Sequence, residues 1–267
     1  MGGPRVRVKL GDVNGIRTRD RGWLRPLNGV ESPAVRLVCF PHSGGSAATF
    51  RAWSAAMPTD ASLLAVQYPG HADRIAEAPA GSVAEIGSRV AEELLRLDPA
   101  PCALFGHSLG ALAAYETARV LQSSGSAARR LFVSGSPAPG LAGGGTTHRA
   151  GDEELWGALR ALGGIDPDVA DNAELRELLL PVLRSDITLN ETYRPAKHPE
   201  PLHCEVRGYY TTEDPLVTGA QLDAWAGVGT GRFSVRAWPG GHFWFLSDPT
   251  DLVGDICAVL AESEVLR

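Results

Sequence analysis

The chain has 267 residues, 44% of them hydrophobic and 21% charged, with a formal net charge of −6. That length suits one sizeable domain with a continuous core and room for an inserted subdomain. The negative balance argues against a general nucleic-acid binder, because no excess of positive charge is available for phosphates, and leaves open only a local basic patch. No run approaches the roughly 18 apolar residues of a membrane span.

The N-terminal stretch "MGGPRVRVKLGDVNGIRTRDRGWLRP" is basic but carries no apolar segment resembling a signal sequence. Residues 1–22 read as a disordered tail, with regular structure beginning near Trp23. The alternation of Val6, Val8 and Leu10 leaves an edge strand open there. The four cysteines, Cys39, Cys102, Cys204 and Cys257, show no CxxC or CxH spacing. Three lie in apolar runs, as buried free thiols do, and the expectation is a cytoplasmic protein without a metal or other cofactor.

Short β-rich runs then alternate with helical patterns. "VRLVCF" (35–40), "LLAVQ" (63–67), "CALF" (102–105), "RLFVSG" (130–135), "HCEVRGYY" (203–210) and "FSVRAW" (233–238) are the strand candidates. Between the second and third, Val83, Ile86, Val90, Leu94 and Leu97 recur at helical spacing, with Ser82 and Glu85 as a capping-box pair and Asp98-Pro99 as a stop. Residues 109–121 are apolar nearly all round, as in a helix buried against a sheet. Strand–helix alternation predicts an α/β fold, with a mainly parallel central sheet covered by helices on both faces.

One segment breaks this rhythm. Roughly seventy residues separate the strand ending near 135 from the one starting near 203, where a plain crossover needs about a dozen. It opens with "SPAPGLAGGGTTHRAG" and continues with two helical patterns, the second carrying Pro181, where a kink is expected. The division this suggests is a core of residues 23–137 and 201–267 with a helical lid at 138–200. Leu155, Trp156, Leu159, Leu162, Leu178, Leu179 and Leu183 could line a channel in that lid, or simply form its core.

The chemistry concentrates in "CALFGHSLGALAAYETARVL". Its G-x-S-x-G pattern sits between a strand and a helix, where Gly106 and Gly110 would clear space around a strained serine and the helix N-terminus would face Ser108. The bare pattern is weak; the context makes Ser108 a candidate nucleophile. A serine needs a base. Among seven histidines, His242 in "WPGGHFWFLSDP" follows the last strand in a glycine-containing loop. His107 would point away from the serine and pack, His203 begins a strand, and His148 and His198 fall in the insertion. In the serine–acid–histidine order of α/β-hydrolases, the acid follows a strand between the two. "EVRGYYTTEDPLVT" offers Asp214 and Glu213; the shorter side chain and the following Pro215 favour Asp214. The N–H of Leu109 and, from "VCFPHSGGSAATF", the N–H of Ser43 would bind an oxyanion, with His42 at the entrance.

Together, "RLVCFPHSGGSAATFRAW", "LLAVQYPGHADR", "CALFGHSLGALAAYETAR", "LPVLRSDITLNETY", "TTEDPLVT" and "WPGGHFWFL" resemble the type II (editing) thioesterases of polyketide and non-ribosomal peptide synthesis. Vertebrate medium-chain fatty acyl thioesterases are relatives of that family. The likeness spans about residues 23–262 in order. It implies an α/β-hydrolase core with a mobile helical lid, and hydrolysis of acyl thioesters on the phosphopantetheine arm of carrier proteins. Carried onto this sequence, it places the nucleophile at Ser108, the acid at Asp214 and the base at His242. One departure is "PGHADR": such proteins commonly carry arginine where His71 stands, which puts a charge-based role there in doubt. Arg74 could meet a phosphate or an acidic carrier, or be a solvated surface residue. The implied protein is free-standing and monomeric. Its rivals are a carboxylesterase or lipase-like hydrolase with the same triad, a terminal thioesterase domain excised from a synthase, and a catalytically silent binding partner.

Overall fold

Successive residues of the central strands are buried on opposite faces of one sheet. In the computed structural model, which describes residues 22–165 and 171–262, the strands are β1 (Leu24–Pro26), β2 (Val35–Phe40), β3 (Ala61–Val66), β4 (Cys102–His107), β5 (Arg130–Ser134), β6 (Glu205–Thr211) and β7 (Phe233–Trp238). The helices are α1 (Val83–Leu94), α2 (Leu109–Ser123), α3 (Asp152–Ala161), α4 (Ala173–Thr192), α5 (Gly219–Asp223) and α6 (Thr250–Glu262). Val38, Phe40, Leu64, Val66 and Leu104 face α1 and α2. Leu37, Cys39, Leu63, Ala65 and Phe105 face the opposite layer, which is built by the 3-10 segment Ala47–Ala56 and α6. Burial on both faces explains why these strands read as continuous apolar runs rather than as an alternation.

The strand order is β1-β3-β2-β4-β5-β6-β7, with β1 antiparallel at one edge and every other pair parallel. After β2 the chain steps outward to β3, then returns to β4 on the other side of β2. The loops leaving β2 and β4 therefore open side by side at the carboxyl edge of the sheet, the usual place for a ligand site in such folds.

The expected elements hold with local shifts. β4 continues past "CALF" through Gly106 and His107, because both of its neighbours keep pairing, Phe40 with Gly106 and Ser134 with His107. The turn at Ser108 thus follows the strand without a spacer. Ser82 caps α1 by accepting the Glu85 N–H at 3.0 Å, but the Glu85 carboxylate returns to the Gly81 N–H at 2.8 Å, one residue before the capping-box position. Leu97, expected on the apolar stripe, lies past the helix and is exposed. β6 begins at Glu205, since the His203 N–H is taken by the Gln122 side chain. Pro181 lies inside α4 without ending it. The possible strand at Val6–Leu10 lies outside the described residues.

Between β5 and β6, α3 and α4 bury their apolar faces against each other. Leu155, Trp156, Leu159, Leu180, Leu183 and Ile187 form a separate cluster. Most of the leucines that could have lined a channel are therefore core, and Leu178 faces solvent. All four cysteines are free, Cys39 and Cys204 buried, Cys102 and Cys257 half-buried. Among the described residues no helix is long and apolar enough to cross a membrane.

Candidate active site

Ser108 sits where β4 turns into α2 with φ 55° and ψ −121°, a backbone conformation that a side chain rarely adopts. Such strain costs about 1–3 kcal/mol and must be held by its surroundings. The Ser108 N–H is tied to Ser134 O at 2.8 Å. The two flanking glycines permit the turn by close approach: a Cβ on Gly106 would run into the backbone of Gly110, and one on Gly110 into the carbonyls of Phe40 and Pro41. These neighbours are backbone and cannot move aside cheaply. Gly110→Ala is therefore expected to destabilise the protein by about 1–3 kcal/mol, as overpacking does, read from the denaturant midpoint; an unchanged midpoint would remove this explanation of the motif.

The same contact brings the start of α2 against the loop leaving β2. Leu109, as the first residue of α2, has no intrahelical acceptor for its N–H. The Ser43 N–H has no hydrogen-bond partner among the described residues. Two unspent donors thus stand on neighbouring strand ends, beside a helix terminus whose dipole favours negative charge.

His242 and Asp214 arrive from β7 and β6. The loops beyond these strands are laced together by Thr212 N–H to Trp238 O, Glu213 N–H to Gly240 O, and Thr211 Oγ1 to Gly241 O, at 3.0, 3.1 and 3.0 Å. This lacing sets His242 Nδ1 2.8 Å from Asp214 Oδ2, with both side chains almost wholly buried. Asp214 Oδ1 accepts the Leu216 N–H at 2.8 Å, so the carboxylate cannot swing away. Glu213, the competing acid, is exposed. Since Asp214 can only accept, His242 carries its proton on Nδ1 and turns a lone pair on Nε2 outward.

Two further imidazoles flank His242. His107 lies 4.7 Å from it, ring to ring, and bonds Ser134 Oγ through Nδ1; His42 packs edge-on against Phe243. His42, expected at the entrance, is buried. Burial, then the neighbouring charges of His242 and His71, pushes its pKa down to about 3. Burial and the same kind of repulsion from His242 and His42 hold His107 well below the ordinary imidazole range. Both stay neutral, so neither of these two rings adds a positive charge beside His242.

Ser108 and His242 open on a shared cavity of about 230 Å³, walled by Ser136, Leu216 and Gln221 on one side and by Asn190 and Glu191 of α4 on the other. Among the described residues no group of histidine, cysteine and carboxylate side chains is placed to hold a metal ion. An elbow serine, a carboxylate-oriented histidine and two free amides together form a constellation for acyl transfer.

The thioesterase domain family matches residues 35–260.

The chain belongs to the thioesterase family.

Thioesterase PikA5 of Streptomyces venezuelae is 38% identical over 241 residues, covering 88% of this chain and 84% of that protein. A probable cadicidin biosynthesis thioesterase of Streptomyces griseus is 36% identical over 86% of this chain, which spans only 63% of that longer relative. Among solved structures, the type II thioesterase BorB of the borrelidin cluster superposes with a TM-score of 0.82 at 38% identity, covering 88% of this chain and 96% of its own. The chain is thus an α/β-hydrolase-fold thioesterase of the type II kind, a hydrolase acting on thioesters, as the resemblance in its sequence implied.

In this thioesterase several polar residues near the site went unseen in the sequence. Asp186 of α4 is buried against His71 and the Gly44 N–H. Its signal was an acidic residue on an otherwise apolar helix face, between Leu183 and Ile187. Glu191 accepts the Thr147 and His148 N–H groups, each at 2.9 Å, and pairs with the His148 ring. Burial opposes its charge, but the bonds from His148 and Thr147 outweigh burial and hold its carboxyl below the usual range. Arg74 is not a solvated surface residue. It is buried, donates to Gln67 O and Glu77, and lies over the Trp23 ring, because its loop folds back under β1.

Proposed function

We propose that this thioesterase hydrolyses acyl groups from the phosphopantetheine arm of carrier proteins through an acyl-enzyme on Ser108. The observation that carries the reading is the Asp214–His242 pair opening onto the same cavity as the elbow serine. His242 Nε2 takes the Ser108 Oγ proton as the oxygen attacks the thioester carbonyl. The Leu109 and Ser43 N–H groups receive the oxyanion, Asp214 stabilises the imidazolium, and the C–S bond breaks as the thiol leaves with that proton. A thiol of ordinary pKa about 8.5 departs readily, so acid assistance matters less than for an ester. Water, deprotonated by His242, then attacks the acyl carbon and releases the free acid and Ser108.

In this reading residues 138–200 act as a lid over a core of residues 23–137 and 201–267. The enzyme works as a cytoplasmic monomer, and it serves polyketide or non-ribosomal peptide carriers, as the names of its relatives suggest. The side chains and amides named supply every step. The test is a competition between acyl-pantetheine or acyl-carrier thioesters and p-nitrophenyl esters of the same acyl chains. We expect kcat/KM to favour the thioesters by about tenfold or more, a transition-state preference of about 1.4 kcal/mol. The reverse order would make the protein a carboxylesterase with the same machinery.

A further inference from the structure

A second histidine–carboxylate pair lies outside the triad. His71 Nε2 stands 2.8 Å from Asp186 Oδ2, and both side chains are 3% exposed. The same Asp186 oxygen accepts the Gly44 N–H at 2.7 Å. Gly44 immediately follows Ser43 and has φ 77°; a Cβ there would collide with Leu183 of α4. The helix therefore touches the loop leaving β2 twice, through Leu183 and through a carboxylate. Burying that carboxylate costs several kcal/mol unless it is fully partnered, so the loop and the pair constrain each other.

The ring of His71 is more constrained still. Its Nδ1 lies 3.0 Å from Pro69 O while Nε2 meets Asp186. Both neighbours accept only, and a neutral imidazole has a single N–H to give. With Asp186 as the carboxylate, both contacts are hydrogen bonds only when His71 is an imidazolium. The groups around the pair are Tyr68, whose ring is 5.6 Å from that of His71 and whose hydroxyl donates to Pro41 O, Arg74 on the same loop, and His42 across it. Gln67 holds the loop from behind by donating to His71 O and accepting the Ala47 N–H. Burial opposes the His71 charge, as does Arg74 more weakly; the Asp186 hydrogen bond and charge, with the Pro69 carbonyl, prevail and raise its pKa above the ordinary imidazole value.

We propose that His71 and Asp186 are positioning residues for the hydrolysis, fixing the Ser43 amide through Gly44 only while His71 holds both ring protons. This rests on the reading of Ser43 as an oxyanion donor. Because the folded pKa is raised, the pair contributes fully below the unfolded imidazole pKa and is lost as pH rises through the folded one. Turnover then has an alkaline limb set by a residue that never touches substrate.

The test uses the full chain and an acyl-N-acetylcysteamine thioester. kcat and KM are followed against pH for the wild type, Asp186→Asn and His71→Gln, while the wild-type His71 ring is titrated by NMR. We expect the alkaline limb of kcat to coincide with the His71 titration. Asp186→Asn should lower kcat about 10–100-fold, less than outright loss of an oxyanion donor, leave KM within about threefold, and abolish the limb. Folded variants with wild-type kcat and an unchanged limb would overturn the proposal. So would a His71 neutral at pH 7, or one titrating apart from the limb, and that measurement needs no variant to fold. Failure of the Ser108 acyl-enzyme, on which any oxyanion role for Ser43 depends, looks different, because Ser108→Ala would then retain turnover.

Discussion

Ser108→Ala is expected to lower kcat for acyl thioesters by on the order of 10⁵–10⁶, the scale on which losing a triad serine acts in serine hydrolases. The loss is this large because nothing else in the cavity can replace the hydroxyl: Ser136, Asn190 and Gln221 line it, but none stands at the elbow between β4 and α2. The alanine variant should keep its thermal midpoint within a few degrees, since the Ser108 hydroxyl makes no hydrogen bond among the described residues and the strained φ of 55° is retained. Ser108→Gly separates strain from chemistry. It should be equally inactive, yet more stable than wild type by about 1 kcal/mol, because glycine adopts a positive φ without a Cβ clash. The checks are steady-state hydrolysis, trapping of the acyl-enzyme by mass spectrometry, and urea denaturation. An alanine variant with more than a few per cent of wild-type turnover would remove Ser108 from the mechanism, and a glycine variant of unchanged stability would remove the strain.

The residues proposed for the chemistry were legible as a group because each stands at the end of a strand. Apolar runs mark where strands stop, and the α/β topology sends those stops to one edge of the sheet, so Ser43, Ser108, Asp214 and His242 could be grouped from the order of the elements. The choice between Asp214 and Glu213 rested on side-chain length and on Pro215; the Thr212–Trp238 and Glu213–Gly240 backbone bonds place Asp214 against His242 and leave Glu213 exposed, and no single-strand pattern reveals those. The environment of the site was less legible. His42 follows a strand as an entrance residue would, yet it turns inward against Phe243, a contact made by residues two hundred positions apart. His71 and Arg74 share a loop that reads as solvent-exposed. The first is claimed by Asp186 on α4 and the second by Trp23 beside β1. A sequence shows which groups are polar, but pairing buried charges across the insertion needs the long-range packing that places α4 over the β2 loop.

Asp214→Asn is expected to cost on the order of 10⁴ in kcat, while Glu213→Gln leaves it within about twofold. The size of the first effect follows from the tautomer rather than from lost contact. Asparagine fills the same space and can still accept the Leu216 N–H through its oxygen. Its amide nitrogen would then face His242 Nδ1, and two donors cannot share one bond. The ring proton would move to Nε2, where the Ser108 hydroxyl would meet an N–H instead of a lone pair. Solvent cannot restore the arrangement, because the side chains of His242 and Asp214 are 2% and 1% exposed. Nor can the flanking imidazoles, since His107 is committed to Ser134 and both His107 and His42 are held neutral by burial. Asp214→Glu should fail as well, by about 10²-fold, because the lacing of the two loops leaves an added methylene no route that preserves the 2.8 Å bond. Measuring kcat for the three variants against pH settles the order. A Glu213→Gln loss comparable with that of Asp214→Asn would move the acid to the exposed residue and break the link between burial and function at this site.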